Sequence, residues 1–184
     1  MGEVRWFYRD EADWLEIASK LKLTACPHCK VVGNLIRHGC LQGFDESRRL
    51  VLRAHRVFCS RRNQRRGCGR TVSVWLADTI NRLKVTTRRL WKFLQTAVAG
   101  TLEAAIRALH SRLSDRTWQR IWARFNAAQS TVRTALANRY PLPGHPAQPS
   151  RRPAALVMAH LQAAFPKADC PVAAFHLATR TFFM

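Results

Sequence analysis

Four cysteines constrain this chain more than any other feature. Cys26-Pro27-His28-Cys29 is a tight CxxC pair, and Cys59 with Cys68 makes a second pair further along. A tetrahedral ion takes four N or S ligands, and two thiolates two residues apart on a tight turn can share one. The stretch between the pairs is long enough for a hairpin that returns the second pair to the first. A sheet of that size buries too little to hold itself, so a shared ion would supply much of its folding energy. One structural Zn²⁺ on Cys26, Cys29, Cys59 and Cys68 is therefore the expectation, against the alternative of buried free thiols. The second pair is spaced Cys-x₈-Cys, which leaves Cys40, His38 and His55 open as replacements for a ligand. Cys170 stands alone and reads as a packing residue. A thioredoxin-like redox role for CPHC lacks the βαβ context that it needs.

The insertion between Cys59 and Cys68 carries Arg61, Arg62, Arg65 and Arg66 around Asn63 and Gln64. Tied at both ends to one ion, it becomes a clamped basic finger suited to phosphate contacts or to entry into a groove. The alternative is a merely solvated loop. Around it, glycines punctuate short β-prone pieces: Leu35 to His38, Arg53 to Cys59 and Arg70 to Trp75. These read as a small antiparallel sheet.

Charge makes the basic loop more than a local feature. The chain has 184 residues and a formal charge of +20, from 31 Lys plus Arg against 11 Asp plus Glu. Of the basic residues 25 are Arg, a bias that a GC-rich genome accounts for, although it leaves the shortage of acids unexplained. Hydrophobic residues make up 47%, so a disordered basic tail is excluded. A surface this basic repels itself unless a polyanion lies against it, and nucleic acid leads over a membrane surface. Residues 1–16 are the exception, with five acids and two Arg. Their helical spacing from about Asp10 to Leu21 predicts an amphipathic acidic helix packed on the body.

From about Thr79 to Tyr140 the pattern turns helical. Thr86 to Ala99 forms a first helix with Leu90, Trp91, Leu94, Ala97 and Val98 inward, and Arg88, Arg89 and Lys92 outward. Then follow a short helix from Thr101, a turn plugged by Leu113, and a second helix capped by Ser114 with Asp115. Trp118, Ile121, Trp122 and Phe125 give that helix an apolar stripe. Arg112, Arg116, Arg120 and Arg124 recur every four residues on another face, with Gln119 beside them. Arg and Gln suit guanine and adenine edges, and the N-terminal part of a recognition helix is what enters the major groove. An ordinary bundle with a basic rim is the bland alternative. Five prolines between Tyr140 and Pro153 predict a linker. Two short apolar helices follow, from Ala154 to Phe165 and from Pro171.

The fold class expected is α+β, mostly α. Its segments are an acidic helix over 1–24, the metal-bound sheet with its basic loop over 25–78, and a helix-turn-helix domain over 79–139. A Pro-rich linker over 140–153 and a C-terminal helical tail over 154–184 complete it. No stretch reaches the length of a membrane span. The acidic N-terminal residues argue against a signal peptide, so the expected location is the cytoplasm, in association with the nucleoid.

The order CPxC, Leu-Ile-Arg-His-Gly, Ala-His-Arg-Val-Phe-Cys, Gly-Cys-Gly-Arg-Thr-Val-Ser-Val and then a helix-turn-helix resembles the DNA-binding region of insertion-sequence transposases. In those proteins a zinc ribbon precedes a helix-turn-helix, and the pair recognises transposon ends. The resemblance covers residues 24–126. It implies zinc on the four cysteines and DNA reading by Arg116, Gln119 and Arg120. The enlarged second knuckle departs from the family pattern. So does the remainder of the chain, where Asp169 is the one acid after the helix-turn-helix. The three carboxylates of an RNase H-like catalytic domain have no place there, and the chain reads as non-catalytic.

These readings converge on a sequence-specific duplex-DNA-binding accessory protein of a mobile element. Its DNA contacts would come from Arg61, Arg62, Arg65, Arg66, Arg70, Arg88, Arg89, Arg112, Arg116, Gln119, Arg120 and Arg124. Its tail would recruit or regulate a separate transposase or recombinase, with a homodimer as one arrangement. The alternatives are a zinc-ribbon transcriptional regulator, an RNA-binding protein, a decayed transposase fragment or a nuclease subunit.

Overall fold

A computed structural model describes residues 6–62, 66–141 and 153–184. Among these the fold is α+β, with six α-helices and one four-stranded sheet. The strands are β1 (Trp6–Tyr8), β2 (Leu35–Phe44), β3 (Leu50–Cys59) and β4 (Thr71–Leu76), in the spatial order β1-β4-β3-β2. β2, β3 and β4 form an antiparallel meander, and β1 lies parallel to β4 at the far edge, Phe7 opposite Trp75. The helices are α1 (Glu11–Ser19), α2 (Thr87–Ala99), α3 (Leu102–Ala108), α4 (Asp115–Ala137), α5 (Pro153–Ala164) and α6 (Pro171–Thr179).

Local chemistry places the helix starts. Asp10, Thr86, Thr101 and Ser114 each accept a backbone N–H from three residues on, at α1, α2, α3 and α4 respectively. The helices before and after the 109–114 connection thus begin where the sequence places them. Of the α4 stripe, Trp118, Ile121 and Phe125 are buried, while Trp122 is half-buried. In β2 the glycines are internal rather than terminal. Gly39, at φ +116°, sits where the register shifts between Arg37 and Gly39, so it carries a bulge and lets the strand run on to Phe44.

Two cores result. The sheet module packs Tyr8, Trp14, Leu21, Leu35, Val57 and Val74 around Cys26 and Cys59. The helical body buries a larger set running from Ile80 to Phe183, including Leu94, Trp118, Phe125, Leu161 and Phe175. Three joints bind the two. Asp78, just after β4, accepts the Thr87 N–H (3.0 Å) and so caps α2. On α6, His176 Nδ1 lies 2.8 Å from the Ala77 carbonyl, and its ring stacks on Phe7 at 5.0 Å. At the tip of the β2–β3 hairpin, Glu46 pairs with Arg89 of α2 (3.3 Å) and accepts the Ser111 hydroxyl.

Two segment expectations change. Residues 1–24 are more than an acidic helix, because Trp6–Tyr8 extends the sheet and Trp14 enters the core around the cysteines. Residues 154–184 are no free tail: Ala154, Val157, Met158, Leu161, Val172, Phe175 and Phe183 share the core of α2–α4. Apolar side chains on both short helices find no other cover, so burial draws them in. The proline-rich linker lies almost wholly outside the described residues.

Candidate metal centre and basic face

The first cysteine pair sits on a turn closed by its own backbone. The Lys30 N–H donates to the Cys26 carbonyl (2.8 Å) and the Cys26 N–H to the Val31 carbonyl (3.0 Å), with Lys30 at φ +64°. The second pair comes from the end of β3 and the approach to β4. There the Cys68 N–H donates to Cys59 Sγ (3.4 Å). The Gly69 N–H donates to the Cys59 carbonyl (3.0 Å), with Gly69 at φ +71°. The Ser60 N–H donates to the Asn34 carbonyl (2.8 Å), which pins the end of β3 to the start of β2.

The long insertion does not remove Cys68 from the cluster, because its ends are pinched together. A Cβ on Gly67 would fall 2.0 Å from the Ser60 carbonyl oxygen, so only glycine allows this approach. The loop leaves after Ser60 and returns at Gly67, and Cys68 is delivered as though the knuckle were short.

The four Sγ atoms of Cys26, Cys29, Cys59 and Cys68 lie within 4.8 Å of one another. Cys26 and Cys68 are 3.8 Å apart, and Cys29 and Cys59 are 3.7 Å apart. Four thiolates placed tetrahedrally at the usual zinc–sulfur distance stand about 3.8 Å from one another. The donor set fits a single ion. Burial pushes the Cys59 thiol up to about 12 and raises Cys68, whereas the Val31 N–H draws Cys29 down to about 7. A cation at the centre offsets that burial cost by deprotonating the set.

The replacement ligands lie elsewhere. Cys40 is exposed on β2, and His38 rests on the Phe58 ring at 5.3 Å. His55 stacks on Trp14 at 4.0 Å. Cys170 is buried at the start of α6, a packing position.

The predicted nucleic-acid contacts divide into two groups. Arg61, Arg62, Arg66 and Arg70 are exposed on the cysteine module, and Arg65 lies outside the described residues. Arg116 and Arg120 are exposed at the start of α4, whereas Arg112 is exposed in the connection before its Ser114 cap and so lies off the helical row expected for it. Gln119, also exposed, borders a hollow with Glu103, Arg107 and Asp115 between α3 and α4. Arg88 is exposed, 3.8 Å from Asp169. Two of the cations point inward instead. Arg89 donates to the Leu109 carbonyl (2.6 Å) and pairs with Glu46. Arg124 donates to the Asn81 carbonyl (3.0 Å), and burial lowers its pKa. Their carbonyl partners lie 20 and 43 residues away, beyond what helical periodicity can register.

No family model, curated protein or solved structure matches this chain. The likeness to transposase DNA-binding regions accordingly stands on the motifs of this sequence. Among the described residues no helix is long and apolar enough to cross a membrane.

Proposed function

We propose that this chain is a sequence-specific duplex-DNA-binding accessory protein of a mobile genetic element, built from a zinc ribbon and a helix-turn-helix. Zinc is the ion of the four-cysteine centre and acts structurally, since four thiolates leave no open coordination position. Arg116, Arg120 and Gln119 read base edges from the start of α4, and Arg112 holds phosphate. Arg61, Arg62 and Arg66 grip the backbone from the clamped loop, joined by Arg65 and Arg70. The protein has no strand-transfer chemistry of its own and serves a separately encoded transposase or recombinase. With 154–184 folded into the helical core, that partner meets the assembled surface rather than a loose tail.

The observation that carries this reading is the exposed pair Arg116 and Arg120 on the first turns of a helix capped by Ser114, with exposed Arg112 just before the cap. The positive end of the helix dipole adds to the attraction for phosphate. Selection of bound sequences from a random duplex library is the test, and a defined consensus is expected. Alanine at Arg116 and Arg120 then relaxes the preference, at about 1–3 kcal/mol for each bidentate arginine–base pair removed. Alanine at Arg61 and Arg62 weakens binding to all duplexes and reduces the salt slope by about one for each phosphate no longer neutralised. Equal losses on selected and random DNA for both pairs would sink this division of roles. Robust Mg²⁺-dependent nicking of plasmid would overturn the non-catalytic assignment.

A further inference from the structure

The last rung of the β2–β3 ladder pairs Phe44 with Leu50, and both are exposed, at 54% and 57%. Directly opposed residues of an antiparallel pair project from the same face, so the two form one apolar ridge in water. Single exposed apolar side chains are ordinary, but a matched pair at a hairpin end is a standing cost and a liability.

This hairpin end is also braced by hydrogen bonds. Asp45 closes the turn by accepting the Arg49 N–H at its carboxylate (2.8 Å) and the Arg48 N–H at its carbonyl (3.1 Å). The buried Arg53 guanidinium donates to the Phe44 carbonyl (2.8 Å) from beneath. Glu46 fastens the turn to Arg89 and Ser111, three residues before the cap of α4. Arg48 and Arg49 flank the ridge, and Lys84 and Arg112 border the hollow beside it. Asp45 and Glu46 are the acids here; the first is paired with Arg49 and the second with Arg89.

From this geometry we propose that Phe44 and Leu50 are a wedge that enters a base step of the duplex held by α4. The inference rests on the DNA-binding reading above. Apolar wedges framed by cations enter from the minor groove, here the one beside the major groove that α4 would occupy, partially unstack a step and kink the duplex toward the major groove. They act only when held stiffly, which is what Asp45, Arg53 and Glu46 provide. Pyrimidine–purine steps, the softest in a duplex, are the preferred target.

The test uses the full zinc-loaded chain and a short duplex carrying 2-aminopurine beside TA steps. Binding is followed by anisotropy and unstacking by 2-aminopurine fluorescence. The wild type is expected to raise the fluorescence on binding. Phe44→Ser with Leu50→Ser should bind about tenfold more weakly, with an unchanged salt slope and no fluorescence rise. Phe44→Trp should keep the rise, which guards against a merely misfolded variant. Wild-type binding without a rise, or the same rise in the double variant, overturns the wedge and leaves the DNA reading intact. A change of oligomeric state in the double variant with unstacking unaltered assigns the ridge to a second copy and also overturns it. Failure of the wild type to bind any duplex removes both readings together.

Discussion

The sheet module and the helical body solve the same problem by different means. The module buries eight residues in its core among those described, and two of them, Cys26 and Cys59, belong to the four-cysteine cluster. The body buries twenty-three. A core of eight supplies little apolar burial against the ordering of its chain, a deficit that an ion held by the four cysteines would offset. The body needs none, because α5 and α6 close over α2 and α4. With an ion bound at the four cysteines, the module that carries the basic loop would depend on metal, whereas the body that carries α4 would not.

Metal removal breaks this comparison most severely. Chelation, or Cys26→Ser with Cys59→Ser, should cost the module on the order of 10 kcal/mol and unfold it. The body should keep its helices. Far-UV circular dichroism with hydrogen exchange checks this, and simultaneous loss of helix would show that the two are one cooperative unit. Next in size is Phe183→Ala, which empties a buried site stacked on Phe125 (5.7 Å) and packed edge-on to Phe175 (5.6 Å). A loss of about 4 kcal/mol in the body is expected, with the four-cysteine cluster's affinity for added metal unchanged.

Acid tests one joint. Burial pushes the His176 imidazole down to about 4 from an ordinary 6.5. Its folded pKa lies below the unfolded one, so the proton favours the unfolded chain. This contribution is complete above pH 6.5 and is lost as the pH falls toward 4, roughly 3 kcal/mol in all. Denaturant midpoints of the wild type and His176→Asn across that window check it, since only the wild type should lose this share. The smallest effect is expected at the hairpin tip. Glu46→Ala removes charged hydrogen bonds to Arg89 and Ser111 and should cost about 2 kcal/mol. Hydrogen exchange at Asp45–Arg49 should rise while the four-cysteine cluster's affinity for added metal holds.

Much of the centre was legible because it is local. The turn at Cys26–Cys29, the Ser114 cap and the Trp118/Ile121/Phe125 stripe are all written within one or two turns of chain. The long Cys-x₈-Cys spacing left the second pair open, and Gly67 was the signal that resolves it. Its missing Cβ is what lets the chain at Gly67 come against the Ser60 carbonyl.

Other features had no local signature. Trp6–Tyr8 is too short to announce a strand, and its partner β4 lies more than sixty residues away. Arg89 and Arg124 sit on outward-looking positions by periodicity, yet backbone carbonyls of distant segments claim them. Residues 154–184 read as an appendage because a proline-rich stretch precedes them.

By itself the sequence determined where chemistry is concentrated: four thiols, two arginine clusters, and helices with capped starts. Spacing and side-chain type suffice for that, since both act over a few residues. Only the tertiary structure decided which cations remain exposed and that the C-terminal helices belong to the core. It also decided that the hairpin tip stands beside the start of α4. Those outcomes depend on pairings between segments far apart in the chain, such as His176 with Ala77, 99 residues earlier. Burial and hydrogen-bond satisfaction select such pairings from the whole molecule at once, and no window of sequence contains them.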